Sequence, residues 1–145
     1  MDHRFVARLL LSLLCGIQGI STLLIDLNRT HATNPAWARH ARFHLVWQTL
    51  TMALLAVVEV ALIWGGWMDP ERGFYLALTL AALSPMAFLL SYTGRGWFGG
   101  ALSDPNGIQP LRVVLARRTL LVDLNLVAVI AAVLYLAAMV VLYRW

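Results

Sequence analysis

The chain has no lysine, a single cysteine, four histidines and only seven acids, and 12% of its residues are charged. A soluble domain of similar size carries about a quarter charged residues. So low a charge content, with 61% hydrophobic residues and a mean hydropathy of +0.75, excludes an ordinary soluble domain and indicates a membrane protein. One cysteine, Cys15, leaves no internal disulfide and no cysteine-based zinc site, and it reads as a buried structural thiol. Four histidines are about half of what a membrane di-iron oxygenase needs. None lies at mid-membrane depth on a second helix, as a bis-histidine haem would require. Gly94, Gly96, Gly99 and Gly100 superficially resemble a phosphate-binding loop, but no Lys-Ser/Thr follows them and no βαβ unit surrounds them. There is no internal repeat and no low-complexity tract.

What is present is apolar sequence in four runs. The 145 residues suffice for one small domain, residues 1–145. Spans are predicted over residues 5–25, 43–64, 74–92 and 119–142, each long enough to cross about 30 Å of hydrocarbon. Short links between them predict an all-α fold, a four-helix transmembrane bundle. The start, Met1-Asp2-His3-Arg4, resembles a signal-peptide n-region. The run behind it is about 20 residues long without a small-residue cleavage site, so it is expected to stay as a helix. Asn34 is expected to cap a short helix from Pro35 that runs into the second span. Pro85 should kink the third span. The fourth helix is expected to start near Leu111, with Arg112, Arg117 and Arg118 at headgroup level.

Residues 26–44 stand out between the first two spans, with Asp26, three arginines, a turn at Asn34-Pro35 and three of the four histidines. Alternating spans put this stretch on the same side as the glycine loop and the start of the fourth helix. Seven arginines lie there (Arg29, Arg39, Arg42, Arg95, Arg112, Arg117, Arg118) against four on the other side (Arg4, Arg8, Arg72, Arg144). The positive-inside rule then makes the motif side cytoplasmic, in a bacterial inner membrane, although Arg4 and Arg8 argue the other way. The arginines flank apolar runs, which points to headgroups and not to nucleic acid.

Polar residues inside the spans follow helical spacing. Cys15, Gln18, Thr22 and Asp26 share one face of the first helix. In the second, His40, His44 and Gln48 are spaced i, i+4, and Glu59 lies about 20° from Gln48, three turns deeper. Polar side chains in lipid are costly, so both stripes are expected to turn inward. Asp123 and Asn125 start the fourth helix but point about 160° apart. Together these residues predict a polar pocket walled by the first, second and fourth helices, open on the motif side and narrowing toward Glu59.

Three uses of such a pocket present themselves. One is acid–base chemistry on a hydrophobic small molecule, a lipid or isoprenoid. Asp26, His31, His40, His44, Glu59 and Asp123 would be the catalytic groups; Asn28, Asn34, Trp37, Arg42 and Gln48 would bind substrate. A histidine beside a carboxylate exchanges protons near neutral pH, and a carboxylic acid in an apolar site favours its neutral, proton-donating form. The second is a mononuclear metal, for which His31, His40, His44 and Asp26 are the available ligands. The third involves no chemistry: an accessory subunit of a larger membrane complex, packed through small-residue patches such as Ala81-Ala82 and Ala131-Ala132. The sequence indicates no particular cofactor. The six tryptophans and four tyrosines read mostly as interface anchors, with Trp37 and Trp47 flanking the histidines.

The order Asp-x-Asn-x-Thr-His followed by Asn-Pro-x-Trp-x-x-His-x-Arg-Phe-His, over residues 26–44, resembles a family of small, uncharacterised four-span membrane proteins. That resemblance implies Asp26, Asn28, His31, Asn34, Trp37, His40, Arg42 and His44 as the site and brings no activity. The arrangement of acids and a histidine among apolar helices is more distantly similar to sterol isomerase-type membrane proteins, a likeness of architecture alone.

Overall fold

The structure, a computed structural model, describes residues 2–105, 107–115 and 118–145. Four helices dominate it: α1 (His3–Asp26), α2 (Arg39–Trp64), α3 (Pro70–Gly94) and α4 (Leu124–Arg144). The shortest has 21 residues, about 32 Å at 1.5 Å per residue, and all four are long and apolar enough to span a membrane. Leu24, Leu54, Leu90 and Leu134 are 71, 68, 70 and 66% exposed. A large apolar side chain left open on every helix fits hydrocarbon as the surrounding solvent. The chain is an all-α four-helix bundle and an integral membrane protein.

Local chemistry explains most helix starts. Asp2, Asp69 and Asp123 each accept a hydrogen bond from the first turn of the helix they precede, with Pro70 at the first position of α3. The start of α2 departs from expectation. Asn34 Oδ1 accepts from the Ala36 amide 3.0 Å away, but the chain does not continue as a helix from Pro35. α2 begins four residues later at Arg39, after Ala38, which has no side-chain acceptor to offer.

The helices form a ring. α1 packs on α2 and α4, α3 packs on α2 and α4, and α1 and α3 touch briefly across the diagonal. α2 and α4 are the other diagonal pair and, among the described residues, have no extended contact. Gly19 sets the α1–α2 distance: a Cβ there would stand 2.7 Å from Ala56 Cβ. Gly73 likewise lies against the Leu62 carbonyl, bringing α3 close to α2.

Burial is uneven along the bundle. Leu11 and Cys15 of α1, Ile63 of α2, Phe74 of α3, and Leu136 and Tyr143 of α4 belong to one core. It occupies the half containing the start of α1 and the end of α4, here called the terminal side. There Phe74 and Tyr143 stack at 4.0 Å, and Tyr135 Oη donates to the Leu10 carbonyl. On the opposite, loop side none of the described residues 124–135 of α4 is buried.

The fourth helix also starts later than predicted. The segment expected to begin it forms an antiparallel hairpin, β1 (Leu111–Leu115) and β2 (Arg118–Val122), with Leu111 opposite Val122 and Leu115 opposite Arg118. Val113, Val114, Thr119 and Val122 are β-branched, which favours the extended chain over a helix. The expected headgroup position of Arg117 lies outside the described residues.

Candidate functional site

Of the inward face predicted for α1, Cys15 is buried, Gln18 reaches α3 and Asp26 meets α2, whereas the Thr22 hydroxyl donates to the Gln18 and Gly19 carbonyls of its own helix. Polar contacts between α1 and α2 run beside that face. On the terminal side, Arg8 donates to the Ile63 carbonyl and lies 4.4 Å from the Trp64 ring centroid, while Trp64 Nε1 donates to Ser12 Oγ at 2.7 Å. Deeper, Cys15, fully buried, stands within hydrogen-bonding reach of Glu59, which is 2% exposed. Gln18 reaches across the diagonal to the Ala81 carbonyl at 3.3 Å. At the loop side, Asp26 Oδ2 accepts from Thr49 Oγ1 at 3.2 Å, and Thr49 is fully buried.

The α2 stripe turns out differently. His40, His44 and Gln48 are exposed, whereas Thr49, Ala56 and Ile63 are the buried positions beside Glu59. The reason is geometric. Measured from buried Thr49 at about 100° per residue, Gln48 lies about 100° around the helix, His44 about 140° and His40 about 180°. The buried positions recur every seven residues, the seam of helices packed side by side. His40 and His44 instead pair with each other, Nε2 to Nε2 at 3.0 Å, and His44 packs beside Phe43 and Trp47.

The loop between α1 and α2 is held by its own side chains. Asn28 Nδ2 donates to the Leu24 carbonyl, and Asn28 Oδ1 accepts both from the Thr30 amide at 2.8 Å and from Thr30 Oγ1 at 2.6 Å. Having given its one proton to Asn28, the Thr30 hydroxyl has only lone pairs for His31 Nδ1 at 2.7 Å. His31 therefore carries its hydrogen on Nδ1. Its ring meets Trp37 edge-on at 5.3 Å, and Asn34, buried, donates to the Thr30 carbonyl. Arg42 is half-buried on the first turn of α2.

The residues predicted for acid–base work thus sit in separate local networks: Asp26 on Thr49, His31 on Thr30 and Trp37, His40 on His44, Glu59 with Cys15. Asp123 accepts from the Leu126 amide at 2.9 Å as the cap of α4. α1 lies against both α2 and α4, the walls expected of the pocket, while α2 and α4 are themselves the diagonal pair. Among the described residues, no three His, Cys, Asp or Glu side chains converge to hold a metal, so the available ligands His31, His40, His44 and Asp26 are not brought together.

A cavity does exist on the loop side, at the glycine loop, where no site was expected. It measures about 160 Å³ and is lined by Phe88, Ser91, Tyr92, Arg95, Phe98 and Gly100, among others. The end of α3 forms one wall. The glycine loop folds back as the other, with the Gly100 amide on the Arg95 carbonyl at 2.8 Å and Gly99 at φ +67°. That conformation favours glycine. Gly100 also lies against the Phe98 ring, where a Cβ would collide. Arg95 Nη1 donates to the Tyr92 carbonyl at 2.6 Å, and its guanidinium lies 4.1 Å from the Tyr92 ring centroid. The signal in the sequence was the i, i+4 pair Phe88 and Tyr92 running into Arg95 and a glycine-rich turn.

Fold and sites together define a small four-span integral membrane protein with a glycine-loop cavity at one face. No family model, curated protein or solved structure matches the chain, so its class rests on its own residues.

Proposed function

We propose that this protein binds a membrane amphiphile with an anionic head, seated in the cavity at the loop-side end of α3. The cavity carries the reading: Phe88, Tyr92 and Phe98 give it apolar aromatic walls, and the Arg95 guanidinium is a fixed cation among them. Arginine presents a planar donor fork suited to phosphate or carboxylate, and stacking on Tyr92 restricts its rotamers before a ligand arrives. At about 160 Å³ the space is about half the ~300 Å³ of full small-molecule sites, and Ser91, Arg95 and Phe98 at its rim are exposed. It therefore grips one part of the ligand, leaving the chain to lie along the exposed apolar surface nearby. Binding needs no proton transfer, which agrees with the separation of the histidines and acids.

The test is binding of a fluorescent lysophosphatidylglycerol to the full chain in a zwitterionic detergent. Arg95→Gln should weaken it roughly tenfold or more, the effect of losing a charge-assisted hydrogen bond. Ser91→Phe, which fills the cavity, should abolish it, while His40→Ala and His44→Ala leave it unchanged. Loss of binding in the histidine variants with none in Arg95→Gln would overturn the reading.

A second reading, a non-catalytic accessory subunit, is favoured by one observation: the described residues 124–135 of α4, which include Ala128, Ala131 and Ala132, are all unburied. Small residues on an open helix face permit close helix contact in a membrane. Purification with another membrane protein at fixed stoichiometry, lost in Ala128→Leu/Ala132→Leu, is the result it requires.

A further inference from the structure

We infer that the hairpin of β1 and β2 is a membrane-surface element that docks on anionic phospholipid headgroups. This inference stands apart from the cavity and uses none of its residues.

The register decides which side chains share a face. Leu111 and Val122, then Val113 and Leu120, then Leu115 and Arg118 are cross-strand partners on one face; Arg112 with Leu121 and Val114 with Thr119 form the other. The first face is apolar until Arg118 at the end beside the turn. None of the hairpin's described residues is buried, and Leu115 and Leu120 are 67 and 50% exposed. So much open aliphatic surface next to a membrane span needs cover.

Position supplies the cover. Only Asp123 separates Val122 from the first residue of α4, a helix long and apolar enough to span the membrane, which brings the base of the hairpin, Leu111 and Val122, to the bilayer surface. It cannot lie deeper. The outer edge of each strand has unpaired backbone groups, which hydrocarbon cannot satisfy but water and headgroups can. At headgroup depth the apolar face meets the upper acyl chains, while Arg112 and Arg118 reach phosphate.

Charge favours anionic lipid. Among the described residues on the loop side outside the cavity, Arg29, Arg39, Arg42, Arg112 and Arg118 stand against Asp26, Asp104 and Asp123. A second copy pairing along a strand edge is the competing occupant. Positive charges on both strands oppose it, as they do on protected sheet edges generally.

The experiment uses the full chain in vesicles of phosphatidylcholine with or without phosphatidylglycerol, with a bimane label at Leu120→Cys or Thr119→Cys. Cys15 is fully buried and should stay unlabelled. In anionic vesicles the Leu120 label should be quenched by lipids brominated near the glycerol and shielded from aqueous iodide, while the Thr119 label stays open to iodide. Changing Arg112 and Arg118 to Gln should lower the docked-to-undocked ratio about fivefold per arginine. Equal iodide access at both labels in anionic vesicles would sink the proposal. So would efficient cross-linking between copies through Leu120→Cys, or docking indifferent to phosphatidylglycerol.

Discussion

Asn28 holds the loop between α1 and α2 through a chain of bonds that runs to Thr30 and ends on His31, so damage should shrink along that chain. Asn28→Ala removes the acceptor of the Thr30 amide and the donor to Leu24, whereas His31→Ala removes one hydrogen bond and an edge contact with Trp37. A backbone donor left without a partner costs about 1–3 kcal/mol, against about 1 for a single exchanged hydrogen bond. Trypsin cutting after the exposed Arg29 reads this directly: it should speed up strongly in Asn28→Ala and only slightly in His31→Ala. The reverse order would show that the histidine, not the asparagine, organises the loop. At this scale the sequence was half legible. Helical spacing put Cys15, Gln18, Thr22 and Asp26 on one face; Cys15 is buried in the core, Gln18 and Asp26 reach other helices, and Thr22 bonds its own. The same reasoning misplaced His40 and His44, because near a membrane surface a polar residue is tolerated facing outward and carries no signal of which side is buried.

Among elements, the α4 cap and the hairpin meet at a single residue. Asp123 had the attributes of a catalytic acid in the sequence: an aspartate at the mouth of an apolar helix. Its 2.9 Å bond to the Leu126 amide gives it a structural task, and Asp→Ala at such a position costs about 1 kcal/mol. Asp123→Ala should raise amide exchange at residues 124–127 while leaving residues 136–143 protected; Asp123→Asn, which keeps an acceptor, should restore most of the protection. The close α1–α2 crossing is a second element-level test. Gly19→Leu places a side chain where even a Cβ would be 2.7 Å from Ala56, and overpacking of this kind costs typically 1–3 kcal/mol. Its denaturation midpoint in detergent should fall, with partial recovery in Gly19→Leu/Ala56→Gly. Four membrane-length helices were legible from apolar run length alone, although the fourth span, expected from residue 119, becomes helix only at Leu124. The hairpin was not, although its β-branched residues were in view, because arginines beside an apolar run also mark the edge of a membrane helix.

Across the whole molecule, the two halves of the bundle rest on different physics. On the terminal side, residues from all four helices interlock around Leu11, Phe74 and Tyr143, so removing a side chain there leaves a cavity among protein atoms. On the loop side, α3 and α4 turn Leu90 and Leu124 outward, and lipid fills whatever a substitution removes. Leu11→Ala and Phe74→Ala should each cost about 2–5 kcal/mol in global stability, the usual range for cavity-forming changes. Leu90→Ala and Leu124→Ala should stay within about 1 kcal/mol, since a lipid-facing position loses no protein partner. Equilibrium unfolding of the four variants in mixed micelles measures both pairs at once. If the loop-side pair proved as costly as the core pair, α4 would be packed along its full length. If the contrast holds, the terminal half is the scaffold, and the loop half, with Arg95 and the hairpin, is left free to meet lipid.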